Sequence, residues 1–212
     1  MSTRGYGQYC GFARALEFVG ERWGLMVIRD LFTGPKRFTD LQRGLPKIPS
    51  NVLTARLKEL EQSGIVERVT QREQRGVFYQ LTPDGLELED SMIALSRWGA
   101  KRLGTVRDGE IITPESMTMA LRTTFRPEDA NGDPVSYEVR FGPIVLHALV
   151  RDAQAVVGQG AIEKPDLVIN ASPQFRAVMA GEVTPKEALD HGICEIKGKR
   201  SLFDRFARMF RI

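Results

Sequence analysis

Residues 37–82 read RFTDLQRGLPKIPSNVLTARLKELEQSGIVERVTQREQRGVFYQLT, and their pattern changes twice within that span. Phe38, Leu41 and Leu45 recur at i, i+3 and i+7, which places them on one face of a short helix. Leu45-Pro46-Lys47-Ile48-Pro49 stops that helix, because proline lacks an N–H donor and disfavours helix in the residue before it. Ser50 is expected to cap a second helix, whose Leu53, Leu57 and Leu60 face inward and whose end falls at Gly64. At 100° per residue, Asn51, Thr54, Ala55, Lys58 and Gln62 lie on the opposite side. Next, Ile65–Thr70 and Val77–Leu81 are β-prone runs on either side of Gln71-Arg72-Glu73-Gln74-Arg75-Gly76. Two short helices followed by a basic hairpin make the layout of a winged helix-turn-helix.

The chemistry of the second helix suits duplex DNA. Its outer face carries small and polar groups with one lysine, so it enters a major groove roughly 12 Å wide and offers amide, hydroxyl and ammonium groups. Arg72 and Arg75 at the hairpin tip suit phosphates or the minor groove. Arg56 lies about 60° from Leu53 on the same wheel. Two readings of it stand, a structural ion pair beside the core and a base contact.

Whole-chain properties bound the remainder. A length of 212 residues suits one or two domains. Residues 1–104 hold 16 Lys and Arg against 12 Asp and Glu, while 105–212 hold 14 against 15, so the basic excess lies on the half with the DNA-reader pattern. Arg14, Glu17 and Glu21 interrupt the longest early apolar stretch, and no run approaches a membrane span; a cytoplasmic location is expected, without membrane insertion. Cys10 and Cys194 lie in different halves, and His147 and His191 are far apart with no ligand-spaced partner, so no disulfide framework, metal site or cofactor is expected. No G-x-S-x-G elbow, Gly-rich phosphate loop or zinc-binding helix occurs, and Glu87, Glu89 and Asp90 suit a solvated helix face; the chain is not expected to be an enzyme.

The chain divides near residue 104. Thr82-Pro83 opens a long helix to about Leu103, with Leu88, Met92, Leu95 and Trp98 as its seam. Residues 105–112 read as a linker. Upstream, Phe12, Leu16 and Val19 form one helix and Trp23, Val27 and Leu31 another. A winged core has no need of the first of these or of the helix from 83, so both are expected to bury their seams in a homodimer or else on their own core or on the second domain. Beyond the linker, Thr113-Pro114 starts a helix to about Thr124. Val135–Phe141, Ile144–Val150, Ala153–Val157 and Asp166–Asn170 read as strands. Ser172-Pro173 and Thr184-Pro185 start further helices, Thr184 and Glu187 having capping-box spacing. Ile193–Ile196 is a short strand before a terminal helix from Lys199.

Cys10, Ala15-Leu16, Gly20-Glu21-Arg22-Trp23, Ile28-Arg29-Asp30-Leu31, Gly34, Arg37-Phe38, Leu41, Val52-Leu53, Arg56–Glu61, Gly64-Ile65-Val66, Tyr79, Leu81-Thr82, Gly85 and Trp98-Gly99 together resemble the HxlR family of bacterial winged-helix transcriptional regulators, related to MarR proteins. The resemblance spans residues 10 to about 103. It implies a homodimer on pseudo-palindromic double-stranded DNA, the helix from Ser50 in the major groove with Asn51, Thr54 and Lys58 facing bases or nearby phosphates. It places Arg72 and Arg75 in the wing and brings Arg37 toward the DNA backbone. Family wings often carry a proline that Gln71–Gly76 lacks. Cys10 aligns with a cysteine that some members use as a redox or electrophile sensor, and its position at a helix start with Arg14 one turn on favours a thiolate; the alternative is an inert small residue.

Asp166-Leu167-Val168-Ile169, Phe175–Gly181, Pro185–Leu189 and the phenylalanine-rich end resemble sterol-carrier-protein-like domains over roughly 113–212. That resemblance implies an α+β fold, a curved sheet covered by helices around a tunnel for an apolar ligand. Phe141, Leu146, Leu149, Val168, Phe175, Met179 and Phe206 are the candidate lining, with ordinary core as the alternative reading. The terminal helix sets Leu202, Phe203, Phe206, Met209 and Phe210 against Arg200, Arg205, Arg208 and Arg211, which suits either a lid or core helix or one lying on an anionic membrane. The chain as a whole thus reads as a mainly α winged helix-turn-helix domain (1–104) and an α+β ligand-binding domain (113–212). The expected function is a DNA-binding repressor modulated by an apolar effector or by Cys10. The alternative is a lipid or small-molecule carrier whose first half is an interaction module.

Overall fold

A computed structural model describes residues 5–71, 74–104 and 106–212, with only the backbone described at Gln71 and Gln74. The chain forms two compact units, Met1–Met92 and Ile93–Ile212.

In the first unit, α1 (Gly11–Val19) and α2 (Gly24–Leu31) precede α3 (Phe38–Gly44) and α4 (Ser50–Gln62). A hairpin of β1 (Val66–Gln71) and β2 (Gln74–Leu81) follows, antiparallel from Val66↔Leu81 to Thr70↔Val77. Lys36 and Tyr79 exchange backbone hydrogen bonds of 2.9 and 2.8 Å, adding a third strand position to the hairpin. Val27, Ile28, Leu31, Leu41, Leu45, Ile48, Leu53, Leu57 and Leu60 are buried together with Ile65, Val66 and Phe78. Each side chain of this kind stabilises the unit by about 1.5–3 kcal/mol when fully buried. Ile48 is what pins the turn between the two prolines, its N–H donating to Leu45 O at 2.9 Å.

Ser50 does not cap α4. It is the first helical residue, and Pro49 is the half-in position, with an extended backbone and its carbonyl accepting from Leu53 N–H at 3.0 Å. The proline's fixed φ already supplies the turn-in geometry that a capping serine would otherwise provide.

The expected helix from 83 to 103 is broken. α5 (Pro83–Leu86) ends in i,i+3 hydrogen bonds at Glu87 and Leu88, and α6 (Glu89–Ala100) restarts the helix. Gly85 is why the first turn is held separately: a Cβ there would lie 2.3 Å from Ile65 O, so this turn packs directly on the strand entry. Thr82 Oγ1 holds the same corner, donating to Gly64 O and accepting from Gly85 N–H at 3.1 Å. The two units divide inside α6 rather than at 104. Arg97 shows the reason, since its guanidinium donates to Thr123 O (3.2 Å) and Phe125 O (3.4 Å) and so ties the end of α6 to the second unit.

That unit continues with α7 (Pro114–Thr124), capped by Thr113, then β3 (Val135–Phe141), β4 (Ile144–Arg151), β5 (Gln154–Gln159) and β6 (Leu167–Ala171). A 3-10 turn leads into α8 (Arg176–Met179), followed by α9 (Pro185–Asp190), β7 (Cys194–Gly198) and α10 (Arg200–Met209). The strand order is β5-β4-β3-β6-β7, parallel only between β3 and β6. Thr184 and Glu187 form the expected capping box on α9.

One face of this sheet packs Tyr137, Val139, Leu146, Ala148, Leu167 and Ile169 against Phe175, Phe203, Phe206 and Phe210. Tyr137 meets Phe206 edge-on at 5.1 Å, and Phe206 stacks on Phe210 at 4.6 Å. Three of the seven candidate ligand-lining residues, Leu146, Phe175 and Phe206, are therefore core, with Phe141 and Met179 half-buried against it. Leu149, 43% exposed, and Val168 stand on the opposite face, because residues alternate along a strand and their neighbours Ala148, Val150, Leu167 and Ile169 point inward. The seven cannot line one cavity. Two open clefts of about 470 Å³ do occur, one by Val178, Val183, Pro185, Ala207, Asp204 and Arg208, the other by Arg140, Asn170, Ser172 and Glu195, and none of the seven lines either.

Candidate nucleic-acid interface

The outer face of α4 is set by its inner one. Leu53, Leu57 and Leu60 are essentially inaccessible, and the 3.6-residue period then leaves Ser50, Asn51, Thr54 and Lys58 exposed. Thr54 Oγ1 donates to Ser50 O at 2.9 Å, so its hydroxyl is oriented with its lone pairs outward. Among the described residues no ion pair involves Lys58. Arg56 takes the structural reading: its guanidinium lies 2.6 Å from Glu59 and 3.6 Å from Glu21, beside the core.

The hairpin is braced on this helix. Arg68 of β1 pairs with Glu61 of α4 at 2.8 Å, and its guanidinium lies over the Tyr79 ring at 5.8 Å. Arg37 is half-buried. Its guanidinium lies 4.8 Å over the Phe78 ring, and a Cβ added at Gly76 would meet it at 3.7 Å, so it packs on the root of the wing. Cation–π contacts of this kind contribute about 0.5–1 kcal/mol at exposed sites. Arg75 is exposed, whereas Arg72 lies outside the described residues. Arg43 and Lys47, not singled out from the pattern, are also exposed, at the end of α3 and in the turn before α4. Their signal in the sequence is the basic character of the turn itself, which apolar periodicity does not weigh. Amide, hydroxyl and ammonium groups on α4 can contact base edges, and exposed cations such as Arg43, Lys47 and Arg75 can contact phosphates.

Cys10 is exposed and directly precedes α1. Its thiol is held below the ordinary value by the backbone N–H of Ala13, then that of Phe12. The expected help from Arg14 is not the cause, since that guanidinium is 2.6 Å from Glu17. Cys194 is buried, and burial pushes its thiol up to about 11. Among the described residues no group of three or more His, Cys, Asp or Glu is placed to hold a metal ion, and no helix is long and apolar enough to cross a membrane.

A family model described as HxlR-like helix-turn-helix matches residues 18–106. The chain is 38% identical over 104 residues to an HTH-type transcriptional regulator of Mycobacterium tuberculosis, covering 49% of this chain and 64% of that one, so it spans less than two thirds of that relative. It is 39% identical over 85 residues to the HTH-type transcriptional regulator YodB of Bacillus subtilis, covering 40% of this chain and 76% of YodB. Among solved structures it is similar to the redox regulator HypR in its oxidized form, with 32% identity, 47% of this chain and 99% of that one covered, and a TM-score of 0.41.

Proposed function

Since this chain belongs to the HxlR-like helix-turn-helix family, we propose that it is a homodimeric transcriptional repressor that places α4 in the major groove of a pseudo-palindromic operator. The observation that carries this reading is the outer face of α4, where Asn51, Thr54 and Lys58 are exposed in register over three buried leucines. Asn51 serves as the base reader, since an amide bonds adenine bidentately, and Lys58 meets phosphate. Support for the dimer comes from Tyr6, Tyr9, Phe12 and Phe18, exposed on and before α1, where a second copy would cover a cost that a monomer carries to water.

Regulation follows by linkage: a modification or ligand that favours a dimer with the wrong half-site spacing lowers DNA affinity by its differential binding energy. Cys10 is one switch, because its thiolate is favoured and α1 packs on α4. An apolar effector in the second unit is the other. The sterol-carrier-like reading is supported by a five-stranded mixed sheet with helices over one face. The aromatic core fills the expected tunnel, so that effector has to displace Phe206 and its neighbours or use the cleft beside α10.

Footprinting and gel shifts on DNA flanking the protein's own gene, with and without a thiol oxidant, test this directly. A protected two-fold-symmetric site that is lost on oxidation is expected, and retained with Cys10→Ser. Binding without sequence preference at every fragment overturns the reading.

A further inference from the structure

The last twenty residues hold six Lys and Arg against two Asp and Glu, whereas residues 105–192 hold eight against thirteen. Between residues 105 and 212 the basic excess is thus gathered in the segment that holds β7 and α10. A helix with this pattern has two uses for its apolar stripe, core packing or burial in a membrane surface, and the burial of the stripe tells them apart. Phe203, Phe206, Met209 and Phe210 are completely buried in the core. Lys197, Lys199, Arg200, Arg208 and Arg211 are exposed, and Arg205 is half-buried. Among the described residues only Arg211 of these six has an ion-pair partner, Asp129 at 2.9 Å; Asp204 is the acid of α10 itself. Lys199 and Arg200 also open the helix, where the macrodipole disfavours cations and no acid offsets them. Among the described residues, ion pairs and the helix macrodipole do not account for that arrangement, and local rules are broken in this way where a surface serves another purpose.

We propose that the outer face of β7 and α10 is a second nucleic-acid contact, which binds the phosphate backbone of duplex DNA without reading its sequence. Charge complementarity selects a polyanion. An anionic membrane fits less well, because an interfacial helix needs the apolar face that this one has buried. Phosphates run the whole length of a duplex, so the contact requires no register with the operator. The choice of DNA as the polyanion rests on the proposed DNA-binding role.

The test is the salt dependence of DNA binding by the full chain and by K199Q/R200Q/R208Q, whose replaced side chains are exposed and leave the core intact. Three lost phosphate contacts make the slope of log affinity against log salt shallower by about 2.7, so that between roughly 50 and 200 mM salt the unmodified protein loses about 40-fold more affinity than the variant. Operator preference is retained in that variant. Conversely, N51A/T54A/K58A loses the preference and keeps steeply salt-dependent binding. An unchanged slope in the triple glutamine variant, with operator preference intact, overturns this proposal alone. Capture by vesicles of equimolar phosphatidylcholine and phosphatidylserine that is lost in the variant, with its DNA slope unchanged, assigns the face to lipid and also overturns it. If the unmodified protein binds no duplex at low salt, the DNA-binding reading falls as well.

Discussion

α4 and α10 are both amphipathic helices with an apolar stripe sunk in a core, yet their outer faces differ. α4 presents an amide, hydroxyls and one lysine without an ion pair among the described residues, and its arginine is turned aside to Glu59 and Glu21. α10 presents guanidinium groups that likewise have no ion pair among the described residues. Groups that both donate and accept at fixed positions distinguish base pairs, whereas bare charge distinguishes only a polyanion from everything else. On the proposed reading, one helix serves sequence and the other charge.

The most severe way to break the comparison is to remove the stripe beneath each face. Phe206→Ala should cost about 3–5 kcal/mol and Leu57→Ala about 2–5, by urea unfolding, since both side chains are essentially inaccessible. Leu57→Ala should abolish operator binding while Phe206→Ala retains sequence preference. Equal loss of preference in both would mean that the two units do not act separately. A smaller change sharpens the contrast within α4: Asn51→Ala should weaken operator binding by about 1–3 kcal/mol with the salt slope unchanged. Lys58→Ala should instead make that slope shallower by about one in titrations over a salt series.

The two cysteines extend the contrast to reactivity. Iodoacetamide should modify Cys10 in the native protein, at a pH below the ordinary thiol range, and reach Cys194 only on unfolding, because the backbone N–H groups of Ala13 and Phe12 favour one thiolate and burial disfavours the other. Comparable rates, read by mass spectrometry, would remove Cys10 as a switch. The smallest expected effect lies at Asp166. Its carboxyl is held below the usual range by the Ser136 hydroxyl and then the Ser136 N–H, so its stabilising contribution is present above the ordinary carboxylate range and fades as pH falls through the lowered value. Ser136→Ala should reduce that acid dependence of the urea midpoint, and an unaltered profile would show that the pair adds nothing to the second unit.

Elements were legible wherever the signal was local. Thr113-Pro114 and Thr184-x-x-Glu187 mark their helices because caps act within one turn, and Leu53, Leu57 and Leu60 mark α4 because burial on one face repeats with the helix. The break at Glu87–Leu88 was not legible, since it depends on Gly85 meeting Ile65, a residue twenty positions earlier. In the same way the apolar pattern of α4 separates Asn51, Thr54 and Lys58 from the core but does not weigh Arg43 and Lys47, which are exposed at the end of α3 and in the turn before α4.

By itself the sequence determined most of the order of helices and strands, the apolar stripes of α4 and α10, and the polar character of the outer face of α4, because each follows from interactions within a few residues of the chain. Only the tertiary structure decided that Arg56 pairs with Glu21 and Glu59, that Arg37 packs on the wing, that Leu149 and Val168 face away from the core, and that Phe206 is buried against Tyr137. Those outcomes depend on which distant segments come to share a surface, and periodicity carries no information about what stands on the other side.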